Sequence, residues 1–65
     1  MTLYEFAALD IEKKFIVMWD GVFIGYREQE EMRFALYHLG DFFVEVYYEL
    51  GTNRILRLKP FEDRD

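Results

Sequence analysis

The chain has no cysteine and no serine, and it has one proline and one histidine. Without cysteine there are no disulfides, and one histidine is too few to hold a structural zinc ion. The hydroxyl nucleophiles reduce to Thr2 and Thr52, so hydrolase chemistry lacks its usual members. Basic residues are also scarce. Eight Lys and Arg against thirteen Asp and Glu leave a net charge of −5, which weighs against nucleic acid as the partner, since phosphate contact needs a basic face. The longest uncharged apolar run, Phe15–Trp19, falls far short of the ~20 residues of a membrane span. Met1-Thr2-Leu3-Tyr4-Glu5 offers neither the basic start nor the apolar stretch of a secretory signal. These absences lead to the expectation of an intracellular protein, most simply a bacterial cytoplasmic one, with no membrane segment and no cofactor.

What is present is an aromatic-rich chain. Seven Phe, five Tyr and one Trp make up 20% of 65 residues. That length supports one domain, residues 1–65, which buries only about 60% of its unfolded surface. With disulfides and metal excluded, a dense aromatic core or self-association remains to stabilise it.

Residues 2–20 read as helical. Thr2 followed by Glu5 fits a capping box. Leu3, Ala7, Ile11, Phe15 and Met18, joined by Trp19, fall on one stripe at helical spacing. Asp10, with Leu9 before it, can cap a second helix, so the segment is either one helix or a short turn followed by a main helix at 11–19. The break is preferred. Gly21 suits the left-handed position that ends a helix.

From Val22 the period changes to two. Strands are predicted at 22–27, 32–39, 42–50 and 54–60, with an acidic loop at 28–31 and a frayed tail at 62–65. Pro60 belongs at a strand end or a sheet edge. The fold class is therefore α+β, an N-terminal helical segment packed on one face of a four-stranded antiparallel meander. In the third strand Val44, Val46, Tyr48 and Leu50 should face inward, leaving Glu45 and Glu49 outward. A three-residue loop at 51–53 pairs Tyr48 with Leu56, Val46 with Leu58, Glu45 with Lys59 and Tyr47 with Arg57. For the preceding hairpin, a two-residue turn at Gly40-Asp41 would set Leu36 against Glu45. A three-residue loop, Leu39-Gly40-Asp41, sets Leu36 against Val44 and keeps the inner face apolar, so it is preferred.

That register places Tyr37, Phe43 and Phe61 in one row on the outer face, with Arg33, Tyr47 and Arg57 in the next. The helix can cover only the inner face, so Tyr37, Phe43, Tyr47, Arg57 and Phe61 are the candidate interface residues. No catalytic, metal-binding or cofactor-binding constellation emerges. His38 lacks a nucleophile beside it. Glu28, Glu30 and Glu31 match no calcium loop and read as a solvated turn. Glu45 and Glu49 read as charges that keep an apolar strand soluble. Gly21 and Gly25 form no phosphate loop.

The run Ala35-Leu36-Tyr37-His38-Leu39-Gly40-Asp41-Phe42-Phe43-Val44-Glu45-Val46-Tyr47-Tyr48, with Thr52-Asn53-Arg54-Ile55 and Leu58-Lys59-Pro60-Phe61, resembles a group of small uncharacterised bacterial proteins. Gly21-Val22-Phe23 and Tyr26-Arg27 extend the likeness to most of the chain. It implies the helix-then-meander architecture and no activity. The expected function is a small non-catalytic protein-interaction module, self-associating through the outer sheet face or an edge strand. Single-stranded RNA binding through exposed rings and arginines is the alternative. An enzyme or small-ligand binder stands third.

Overall fold

The helical segment divides in two because it carries two sets of caps. The computed structural model describes residues 1–62. α1 spans Leu3–Ala7 and α2 spans Ile11–Trp19. At α1, Thr2 Oγ1 accepts from the Glu5 N–H at 3.1 Å, and Glu5 Oε1 accepts from the Thr2 N–H at 2.7 Å. The Thr2 backbone N–H, and then the Thr2 side chain, hold the Glu5 carboxyl below its ordinary pKa. Asp10 opens α2 by accepting from the Lys13 N–H at 3.0 Å.

The break resets the helical phase and moves the buried stripe. Phe6, rather than Ala7, is the fully buried residue of α1, and Met18 is that of α2. Leu3, Leu9, Phe15 and Val17 pack partly against this core. Ile11 and Trp19, which a continuous helix would bury, are more than half exposed. Gly21 follows α2 as expected, but its backbone is not left-handed. The reason for glycine is proximity: a Cβ there would stand 2.8 Å from the His38 carbonyl oxygen and 2.9 Å from Leu39 Cγ.

The sheet comprises β1 (Val22–Gln29), β2 (Met32–Leu39), β3 (Phe42–Glu49) and β4 (Arg54–Phe61), antiparallel throughout in the order β1-β2-β3-β4. The α+β meander is thus as expected. β1 runs two residues beyond 22–27, because Glu28 pairs with Arg33 and the two side chains form a 2.8 Å salt bridge. Glu30, with φ 57°, makes the tight turn. β3 stops at Glu49, and the Leu50 N–H donates instead to the Glu31 carbonyl at 2.9 Å, tying two loops together. Of the tail expected at 62–65, Glu62 is exposed and the rest lies outside the described residues.

Two registers differ from expectation. Between β2 and β3 the turn has two residues, Gly40-Asp41, so Leu39 pairs with Phe42, Tyr37 with Val44 and Leu36 with Glu45. Gly40 takes φ 60°, which fits the tight hairpin turn that begins with glycine. Turn chemistry here outweighs the more apolar alternation of Phe34 and Leu36, and those two residues face outward. Between β3 and β4 the predicted pairs Glu45–Lys59, Val46–Leu58 and Tyr47–Arg57 are present. Nearer the loop, Leu56 is an extra bulged residue, so Tyr48 meets Ile55 and Leu56 is half exposed. A second bulge at Ile24 interrupts β1.

The core lies between the helices and one side of the sheet: Phe6, Met18, Ala35, Leu39, Phe42, Val44 and Val46. Phe6 and Phe42 rings meet at 5.6 Å. Phe6→Ala should lose ~3–5 kcal/mol, about all that one small core supplies, and abolish cooperative urea unfolding followed by circular dichroism. Gly21→Ala should lose ~1–3 kcal/mol by crowding backbone that cannot move aside, read as a lower urea midpoint.

Candidate contact surface

The outer face of the sheet is built in rows by the β2–β3 register. His38, Phe43 and Phe61 form the first row, with stacked rings 4.7 and 5.6 Å apart. Arg27, Phe34, Tyr47 and Arg57 form another. There Arg27 lies 4.2 Å over the Phe34 ring, Phe34 meets Tyr47 edge-on at 5.0 Å, and Arg57 lies 5.8 Å over Tyr47. Between these rows Leu36, Glu45 and Lys59 line up. Four of the five candidate interface residues, Phe43, Tyr47, Arg57 and Phe61, therefore share this face.

Tyr37 does not. Its partner is Val44, which is fully buried under the helices, so the two-residue turn carries Tyr37 to the helix side. His38 takes the place expected for Tyr37, and Phe34 that of Arg33. Arg33 lies instead on the helix side, 4.7 Å over Tyr26.

The helix side holds a surface that period-two reasoning missed. Trp19 meets Tyr37 edge-on at 5.8 Å, and Tyr37 meets Phe23 at 5.4 Å. Because Ile24 is bulged, Phe23 and Tyr26 both pair with inward residues, Tyr37 and Ala35. The rings thus run from the end of α2 onto the edge strand. α2 has nine residues and ends at Trp19, so it does not reach over β1. Trp19, Phe23 and Tyr26 are 58%, 53% and 59% exposed, and Ile16, Val22 and Ile24 are also more than half exposed. One signal was available: Phe15–Tyr26 contains a single charge, Asp20.

Chemistry remains sparse. The Thr2 hydroxyl serves the cap, and the Thr52 hydroxyl donates to Glu49 at 2.6 Å. Among the described residues no three His, Asp or Glu side chains converge as a metal group, and no helix is long and apolar enough to cross a membrane. A depression of about 300 Å³ opens where α2 turns into β1 and is lined by Val17, Val22, His38, Leu39 and Phe42. Against known families, curated proteins and solved structures, the chain matches none.

Burial, and then the neighbouring Tyr48 phenol, push the Tyr37 hydroxyl above its ordinary pKa. The Glu45 carboxylate does the same to Tyr47, which is half-buried. A phenol raised in the folded state contributes stability that is complete below its unfolded pKa and lost as pH rises through the folded one. The urea midpoint should therefore fall above roughly pH 10, and Tyr37→Phe should flatten that fall. Tyr4→Phe, at a side chain 77% exposed, should leave it unchanged.

Proposed function

We propose that the chain is a non-catalytic interaction module that self-associates through the apolar surface formed by the end of α2 and β1. One observation carries this reading: Trp19, Phe23 and Tyr26 are each more than half exposed, Trp19 and Phe23 meet through Tyr37, and Tyr26 lies on the same side of β1 as Phe23. A chain that fully buries few large side chains leaves such a strip where a second surface covers it. The contact surface thus moves from the outer sheet face to the edge. On the outer face, the guanidinium groups of Arg27 and Arg57 lie over Phe34 and Tyr47 and the two rings meet edge-on, so they ask less of a partner. A bacterial cytoplasmic setting is part of the same proposal.

A second reading has its own support. The outer face carries Arg27, Arg54, Arg57 and Lys59 against Glu45 and Glu49, so it is locally basic in an acidic chain. This favours single-stranded RNA stacking on Phe43, Tyr47 and Phe61. The guanidinium groups over Phe34 and Tyr47 compete with bases for the same ring faces. Fluorescence anisotropy with labelled mixed oligonucleotides tests it: binding at low salt that weakens steeply with added salt supports RNA, and no anisotropy change removes it.

For the leading reading, light scattering should give the mass of two chains at mid-micromolar concentration. Trp19→Ser and Phe23→Ser should each weaken the dimer at least about tenfold, ~1.4 kcal/mol, with circular dichroism unchanged. A strict monomer at high micromolar concentration rejects self-association.

A further inference from the structure

We infer that the second copy docks edge to edge on β1, antiparallel about a two-fold axis, joining two four-stranded sheets into one continuous sheet. This rests on the self-association reading above and specifies its geometry.

The two sheet edges are treated differently. β4 ends in Lys59-Pro60-Phe61, where proline has no N–H to offer, and α1 packs against that strand. β1 has no proline and no lysine, and among the described residues no helix lies along it. Every β1 residue except Gly25 is exposed. An edge strand with a bare outer row of backbone groups is a template for a further strand.

Charge argues for a second copy as that strand. Each chain carries −5, so two copies approach best where neither is charged. Gly21–Tyr26 is the uncharged stretch, and the acidic Glu28, Glu30 and Glu31 lie beyond its far end. Antiparallel pairing brings Arg27 of each copy opposite Val22 of the other, and Glu28, already held by Arg33 in a salt bridge, toward Asp20. A basic partner would find its complement at the acidic turn, not on this edge.

Side-chain direction supplies the register. Phe23 and Tyr26 face the helix side, while Val22, Gly25 and Arg27 pair with the outward His38, Leu36 and Phe34. Ile24 borders an outer-face depression with Leu36 and Glu45. Setting Phe23 opposite Tyr26 of the second copy matches sides at all of residues 22–27. It pairs ring with ring, Val22 with Arg27 and Ile24 with Gly25. Gly25 then has a purpose that the monomer does not supply. Its backbone is not left-handed and a Cβ would meet nothing within 4 Å; across the axis, that open space takes Ile24. Trp19, Phe23 and Tyr26 offer on the order of 300 Å² of exposed ring surface. Val22, Ile24 and the strand backbone extend it toward the ~800 Å² per partner of a stable interface.

The absence of native cysteine makes the test direct. Ile24→Cys lies beside the axis and should oxidise to a covalent dimer in high yield. Chains carrying Val22→Cys and Arg27→Cys, mixed, should cross-link to one another. Leu56→Cys, on the opposite edge, should stay monomeric on a denaturing gel. Gly25→Val should weaken the dimer at least tenfold in light scattering with the monomer's circular dichroism unchanged. A dimer by light scattering that fails to cross-link at Ile24, or that cross-links through Leu56, overturns the β1 edge and leaves self-association standing. A monomer in every experiment overturns both.

Discussion

Burial of Phe42, Val44 and Val46 on one side of β3 is the constraint from which the other elements take their positions. β3 is an inner strand, paired on both sides, and these three side chains are 0–1% exposed. Each contributes ~1.5–3 kcal/mol on leaving water. Slipping β3 by one residue would turn Phe43, Glu45 and Tyr47 toward Phe6 and Met18, burying an unpaired carboxylate. β2 and β4 are therefore counted outward from β3. The Gly40-Asp41 turn transmits the parity to β2, so Ala35, Tyr37 and Leu39 follow Val46, Val44 and Phe42 inward.

Farther from β3 the parity relaxes. Each edge strand carries one bulge, at Ile24 in β1 and at Leu56 in β4. A bulge lets a strand keep both of its ends in register while one residue drops out of the alternation. In β1 this sets Phe23 and Tyr26, three positions apart, on the same side. The helices above the sheet cannot cover that side: a nine-residue helix is ~13.5 Å long at ~1.5 Å per residue, and the domain measures 33 × 29 × 16 Å. α1 sits toward β4, α2 ends at Trp19, and the rings of β1 stand past the end of the helical layer.

Much of this was legible in the sequence where one residue type has one local job. Thr2 with Glu5 and Asp10 with its following turn announced two helix starts, and both caps form. The alternation of β3 announced its buried side, and the charges on Glu45, Lys59 and Arg57 announced the far half of the β3–β4 register. Other features have no comparable mark. The break at Ala8–Asp10 shifts the helical phase, so Phe6 displaces Ala7 from the core. The choice between two and three turn residues at Gly40 trades turn geometry against the apolarity of Phe34 and Leu36. Both facing patterns looked acceptable in β2, because it is apolar on both sides. A bulge adds one residue with no required type, so Ile24 and Leu56 read as ordinary strand positions. From the missed Leu56 follows the wrong partner for Tyr48, and from the missed Ile24 the unrecognised strip on β1.

The chain thus presents aromatic rings on two surfaces, and what separates them is their cover. On the outer face the guanidinium groups of Arg27 and Arg57 lie over the Phe34 and Tyr47 rings, and Phe43 stacks on Phe61. Hydration is already partly displaced there, and a partner would have to displace guanidinium groups to gain the remainder. On the helix side the same composition is arranged end to end, Trp19 to Tyr37 to Phe23, with Arg33 over Tyr26 as its cation. Edge-to-face contacts at these distances leave ring faces open, and the strand that carries Phe23 and Tyr26 has its outer backbone unpaired. Apolar area and unpaired hydrogen-bonding groups coincide along β1, and a strand supplies cover for both at once. A helix or loop laid on the strip would cover the rings and leave the backbone row to water. For an acidic chain without cysteine, a second β1 meets both needs along the uncharged stretch Gly21–Tyr26.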